Sequence, residues 1–362
     1  MLFLAVIVGV GAKGLDALTE SSDATTFTPS ASIDAPQSSA SQSGSAQQLV
    51  PSVAPSVRTP SPTQTPNAAQ AIITPAVDAS PPDDESGNQQ GDTSALQAEI
   101  TARAAYAYDA ASKSPLYELN ATKRMPIGSI VKVATALVTV EHVSLDEVVT
   151  IDASDLVDPA IYSNMGLIAG DSLTVEQLLE GLLIPSGGDA AQALARYVGA
   201  QLSGSDEPKT ARAAFVDAMN DYVAELGLEN THFTNATGDE DAENYSSAAD
   251  VARLGMQLMA NDDLAAIVAM PSYDFVSAGG NEYAQANTNE LLGVDGIVGI
   301  KTGSTSEAGG CVVLAQETAD GGLVVLTILG ADLTYDDLNR IVADARWDDA
   351  RRVLQAIGSG AS

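Results

Sequence analysis

Apolar positions fall into three regimes along the chain. From Met1 to Ala12 they are nearly continuous. Over 18–96 they are sparse, and Ser, Thr, Ala, Pro and Gln dominate. From about residue 97 onward they recur with regular periods. Alternation over Arg103 to Asp109 and Pro115 to Leu119 predicts two strands around a turn at Ala110 to Ser114. Spacings of three and four then predict helices. The first runs from Ser129 to about Val143. Thr174 to Leu183 follows with Thr174 as N-cap, then Asp189 to Val198 capped by Ser186 or Asp189. Ala211 to Leu226 is ended by Gly227, and Ser247 to Met259 precedes a short helix at Leu264 to Ala269. The pattern changes again at Ile297 to Thr302, Gly310 to Gln316 and Leu323 to Leu329, three apolar runs that predict strands, before a last helix from about Leu338 to Ile357. Two strands, a block of helices, three strands and a helix predict an α+β domain. Its mostly antiparallel five-stranded sheet would be flanked by helices, with a helical subdomain.

The polar regime cannot bury enough apolar surface to offset its chain entropy, so 18–96 is expected to be a disordered linker. The run at Met1 to Ala12 suits a signal-peptide core better than a membrane span, which needs about 20 residues. Residues 1–17 are therefore read as an export signal or a truncated anchor. Together with the linker they predict an outward-facing, extracytoplasmic domain over 97–362, secreted or tethered to a membrane at its N-terminus.

Charge narrows the partners. The formal charge is −32; residues 1–95 hold two basic and nine acidic side chains, a net −7, which leaves −25 for the rest. So acidic a surface repels nucleic acid and anionic lipid. The single cysteine, Cys311, lies in an apolar run and reads as a small core residue. Nothing in the sequence points to a metal or an organic cofactor.

Candidate chemistry begins with the stretch PIGSIVKVATALV at 126–138. It reads as a buried helix, except that Lys132 sits among apolar residues three positions after Ser129. Positions i and i+3 share a helix face, so hydroxyl and amine can meet. Ser129 stands at a helix start, where free N–H groups can hold the oxygen of a carbonyl under attack. Burial or a second cation would lower the lysine pKa and free its lone pair. The alternative is a helix cap at Ser129 and a snorkelling stem at Lys132; on this motif alone the two stand level. The only histidines are His142 and His232. His142 lies at the far end of the same helix, and His232 sits in a turn where it reads as structural. A Ser-His-Asp hydrolase is thus poorly supported, and a serine enzyme would need a lysine base. Among six lysines, one opens Lys301-Thr302-Gly303 on a predicted strand, where Gly303 lets a ligand come close. Between the two motifs, Ser186 lies on a tight turn between helices.

S-x-x-K, a middle serine motif and K-T-G, in this order, resemble the signature of penicillin-binding proteins and class A β-lactamases. Over about Ala102 to Ile357 the chain is most similar to the D-alanyl-D-alanine carboxypeptidases among the low-molecular-mass penicillin-binding proteins. Segments such as Met165 to Asp171, Leu226 to Phe233, Asn287 to Leu292 and Gly299 to Gly309 share in the likeness. The resemblance implies a β-lactamase/DD-peptidase-like fold. It also implies removal of the terminal D-Ala from peptidoglycan stem peptides ending in D-Ala-D-Ala, with β-lactams as inhibitors. By position, Ser129 would be the acylated nucleophile, Lys132 its base, and Ser186 the proton relay to the leaving amine. Lys301 and Thr302 would hold the terminal carboxylate, with Lys301 helping to depress the Lys132 pKa. Gly303 and Ser304 would complete the substrate site, and the N–H groups of Ser129 and Ser304 would form the oxyanion hole.

Two positions depart from the family pattern. Gly188 stands where the middle motif usually has Asn, removing a side-chain amide that would contact Lys132. Asn244 stands where relatives often have His, and is expected to be structural. The same residues could serve a D,D-endopeptidase or transpeptidase. A β-lactamase lacks its glutamate-bearing element here. The rival outside enzymes is a wall-binding homologue without turnover, with Gly188 as its mark.

Overall fold

The computed structural model describes residues 99–338 and 340–360. The expected signal segment and linker lie outside the described residues. The chain opens with strands β1 (Ala104–Asp109) and β2 (Ser114–Leu119) and closes with β7 (Ile297–Thr305), β8 (Gly309–Glu317), β9 (Leu323–Ala331) and helix α7 (Arg346–Gly360). These five strands form one sheet in the order β2-β1-β9-β8-β7. Every pairing in it is antiparallel. The register between β1 and β9 runs from Ala104 opposite Leu329 to Asp109 opposite Val324, which joins the two ends of the domain.

Both faces of β7, β8 and β9 are covered, so these strands read as continuous apolar runs rather than as alternation. The alternation still governs packing. Cys311, Val313 and Ala315 of β8 join the core under the helices, while Val312 and Leu314 join a second core under α7, with Trp347, Ala350 and Val353. On β9, Val325 and Leu329 face the helices and Leu326 and Ile328 face α7.

The helical body comprises α1 (Lys132–His142), α2 (Val175–Leu183), α3 (Gly188–Ser203), α4 (Pro208–Glu225), α5 (Ala248–Met259) and α6 (Asp262–Val268). Thr174 caps α2 as expected, in a box completed by Gln177. For α3 the N-cap is Gly187, with no side-chain bond; neither Ser186 nor Asp189 caps it. Three two-stranded ribbons escape the sequence pattern: β3 (Val148–Thr150) with β4 (Ser172–Thr174), β5 (Ser272–Val276) with β6 (Glu282–Ala286), and β10 (Leu333–Tyr335) with β11 (Ile341–Asp344). The last of these corrects the C-terminal expectation, because α7 starts at Arg346 rather than near Leu338.

Candidate active site

A 3-10 turn at Gly128–Val131 precedes α1 and carries Ser129, and Lys132 begins α1 proper. The tight turn and the first helical position bring the two together: Lys132 Nζ donates to Ser129 Oγ at 2.9 Å. It also donates to the Thr237 carbonyl at 2.5 Å. Lys132 is 3% exposed. Burial lowers its pKa to about 8, against the opposing pull of the Asp239 and Asp189 carboxylates. An amine so placed spends a useful fraction of its time neutral near physiological pH.

Strand β7 is the sheet edge facing this turn. Its approach is set by Gly303. A Cβ there would stand 2.5 Å from the Ile127 carbonyl oxygen and 3.2 Å from Ile130 N, so only glycine lets the strand lie against the serine turn. Thr302 Oγ1 shares a 2.7 Å hydrogen bond with Thr288 Oγ1. Lys301 is 1% exposed, and its Nζ donates to the Thr302 carbonyl at 3.1 Å. Burial first, then the neighbouring Lys132 and Arg346 charges, hold its pKa well below the ordinary lysine value. Burial is the main cause of the lowered Lys132 pKa, and the repulsion between the two buried amines disfavours charging both at once.

Sequence reasoning missed Arg346. This buried guanidinium uses all five of its N–H groups. Nη1 donates to the Gly303 and Cys311 carbonyls at 2.8 and 3.0 Å, and Nη2 donates to Ser304 Oγ at 2.6 Å. Nε donates to both Asp344 oxygens at 2.8 and 2.7 Å, and Nη2 completes the ion pair with Asp344 Oδ2 at 2.7 Å. It braces β7 from behind. The predicted C-terminal helix absorbed it; a lone arginine between Asp344 and Trp347 was the available signal.

Ser186 joins α2 to α3 with a φ of 69°, and its buried Oγ has no hydrogen-bond partner among the described residues. Asp189 steadies this turn. Its carboxylate accepts from the N–H groups of Met165, Gly166, Leu167 and Ala190 at 2.9 to 3.0 Å. Asn244 is buried, and its Nδ2 donates to the Asp239 carbonyl at 3.0 Å, a structural contact. His232 Nδ1 lies 2.7 Å from the Glu243 carbonyl.

Ser129, Ser186, Thr302, Gly303 and Ser304 thus line one cleft of about 560 Å³, which Ser163, Thr288 and Arg346 also border. Lys132 and Lys301 lie sealed behind its wall. Among the described residues, no group of three or more His, Cys, Asp or Glu is disposed to hold a metal ion.

A hydroxyl paired with a buried amine, open to a cleft, suits acyl transfer through a covalent serine ester. Comparison with known proteins agrees. The sequence model described as D-alanyl-D-alanine carboxypeptidase matches residues 91–332. The chain belongs to that family. A D-alanyl-D-alanine carboxypeptidase of Streptomyces sp. is 36% identical over 249 residues, covering 66% of this chain and 84% of that protein. One from Escherichia coli is 33% identical over 244 residues, covering 64% of this chain and 57% of that protein, so the chain spans little more than half of it. The crystal structure of a Streptomyces DD-transpeptidase superposes with a TM-score of 0.63 at 33% identity, covering 72% of this chain and 98% of that one. The family, the fold and the class of enzyme expected from the sequence, a serine-type D-Ala-D-Ala carboxypeptidase of the penicillin-binding kind, are borne out. Family members are cell-envelope enzymes.

Proposed function

We propose that Ser129 is the nucleophile of this carboxypeptidase and Lys132 its general base. The observation that carries the reading is the 2.9 Å contact between Lys132 Nζ and Ser129 Oγ, made by an amine whose pKa is brought to about 8. Lys132 takes the hydroxyl proton as Oγ attacks the carbonyl carbon of the penultimate D-Ala. The N–H groups of Ser129 and Ser304 receive the oxyanion. The C–N bond then breaks, and Ser186 passes a proton to the departing D-Ala amine. Its otherwise unpartnered hydroxyl supports that role. Water cleaves the Ser129 ester and restores the hydroxyl. Thr302 and Ser304 meet the substrate carboxylate in the cleft, and Lys301 supplies positive charge from behind. Gly303 lets β7 lie close to the serine turn and so brings Thr302 and Ser304 to Ser129. A β-lactam presents a carboxylate and a strained amide in the same places and acylates Ser129.

The similar Streptomyces protein is a DD-transpeptidase, which favours a second use of the same ester: capture by an amine instead of water. The chain's N-terminal apolar run supports a membrane tether for residues 97–362, through the 18–96 linker. Among the described residues, no helix is long and apolar enough to cross a membrane.

The test is exposure of the full chain and of Ser129→Ala to a labelled penicillin. A stable adduct on the wild type alone is expected, with D-Ala released from a D-Ala-D-Ala peptide by the wild type only. Equal labelling of both proteins, or of neither, would overturn the assignment. The tether is checked by membrane fractionation with and without residues 1–17.

A further inference from the structure

Gly188 leaves Lys132 without the amide that the resemblance would supply. The position itself is turned elsewhere. A Cβ built at 188 would meet the Ser163 carbonyl oxygen at 3.3 Å and Tyr162 Cβ and Val157 Cγ1 at 3.7 Å. What holds Lys132 instead is the Thr237 carbonyl.

That carbonyl is set by its own loop. Asn235 Oδ1 accepts from Thr237 N at 3.2 Å, Thr237 Oγ1 at 3.0 Å, Gly238 N at 2.8 Å and Asp239 N at 3.0 Å. Three backbone N–H groups converge on this atom, so it is the oxygen of the amide and not its nitrogen. The other end of the amide, Nδ2, donates to the Asp239 carbonyl at 3.3 Å, beside the bond from Asn244. The loop is pinned to the catalytic helix by Thr135 Oγ1, which donates to the Ala236 carbonyl at 2.8 Å. It also presses on the serine turn. Gly238, at a φ of 92°, lies so close that a Cβ would stand 2.8 Å from Ser129 N.

A neutral primary amine has two hydrogens and one lone pair. When one hydrogen is held by a fixed carbonyl, rotation about Cε–Nζ stops, and the lone pair can stay aimed at the Ser129 hydroxyl. Without that anchor the amine samples other staggered positions, and the hydroxyl proton has no fixed acceptor.

We propose that Asn235 is a positioning residue for acylation: by gathering the backbone of 237–239 it holds the Thr237 carbonyl against Lys132 and aims the amine at Ser129. This rests on the reading of Lys132 as base. The loop supplies through the backbone what Gly188 cannot supply through a side chain.

The experiment measures the rate constant and final stoichiometry of labelling by a fluorescent penicillin, for the full-length wild type, Asn235→Ala and Asn235→Asp. Rates are compared on the high-pH plateau, above the Lys132 titration, and across pH. Asn235→Asp keeps an acceptor at Oδ1 and Asn235→Ala removes it. Equal stoichiometry is expected in all three. The alanine variant should label roughly ten- to hundred-fold more slowly, and the aspartate variant should stay within about three-fold of wild type. The acid limb of the alanine variant should move to lower pH, because the loss of a carbonyl partner disfavours the ammonium. Should Asn235→Ala fail to fold, Asn235→Ser, whose shorter side chain reaches fewer of the donors, should give an intermediate rate. An alanine or serine variant with the wild-type rate constant and pH profile overturns the inference. So does one that loses labelled fraction at an unchanged rate constant, which marks a fold defect only. A wild type that takes no label overturns the reading of Ser129 and Lys132, and this inference with it.

Discussion

Lys132 must be neutral to accept a proton, and its pKa is brought to about 8. Burial lowers it, so the charged form prevails below that value and the free amine above it. Acylation of Ser129 should therefore fall as pH falls through about 8, close to ten-fold per unit at the acid end. Stopped-flow labelling across pH 6 to 10, spanning two units on either side, checks this; a profile flat to pH 6 would exclude Lys132 as the base. Gly303→Ala tests the strand approach. Its Cβ would overlap the Ile127 carbonyl, so β7 must withdraw from the serine turn. We expect a loss of about 1–3 kcal/mol in stability and of roughly a hundred-fold in acylation rate, read by denaturant melts and labelling kinetics. At this scale the sequence displayed the groups whose side chains are chemically unusual in their setting: a lysine in an apolar helix, a serine on a glycine-rich turn. It could not display Thr237, which acts through a carbonyl that every residue owns. Nor could it display Asn235, whose role is to fold a loop around one oxygen.

Single elements were legible where they were long and uniform in period. The three C-terminal strands, nine residues each, announced themselves as apolar runs. The ribbons of three to five residues did not, because so few positions cannot establish a period. Leu338, Ile341 and Val342 carry helical spacing by chance of a hairpin turn, which drew the final helix too far toward the N-terminus. Capping was read correctly at α2, though not at α3. Thr174 Oγ1 accepts from Gln177 N at 3.1 Å, and the Gln177 side chain accepts from Thr174 N at 3.0 Å. Thr174→Ala should cost about 1 kcal/mol and lower the melting temperature by about 2–4 °C, with labelling kinetics unchanged, since α2 lies behind the Ser186 turn. A scanning calorimetry trace of the variant decides it.

For the molecule as a whole, the excess of negative charge opposes compactness. At low ionic strength these charges act over about 30 Å, and at 0.1 M over about 10 Å. The melting temperature should therefore rise by a few degrees, roughly, between 0.01 and 0.5 M sodium chloride. A falling melting temperature would mean that ion pairs such as Arg196 with Asp155, rather than repulsion, dominate the balance. The fold class was visible from the order of elements, but the strand order was not, because pairing across more than two hundred residues leaves no local trace.

That long-range pairing has a further consequence. Strand β1 has its neighbours only in β2 and in β9, whose last residue is Ala331. The serine turn likewise rests on a strand that begins at Ile297. During synthesis, then, the first strands wait unpaired on one side until nearly the whole domain has emerged. Contacts this distant in sequence form slowly. A chain that cannot close its sheet early stays open through most of its synthesis, and the turn that carries Ser129 gains its supporting strand only near the end.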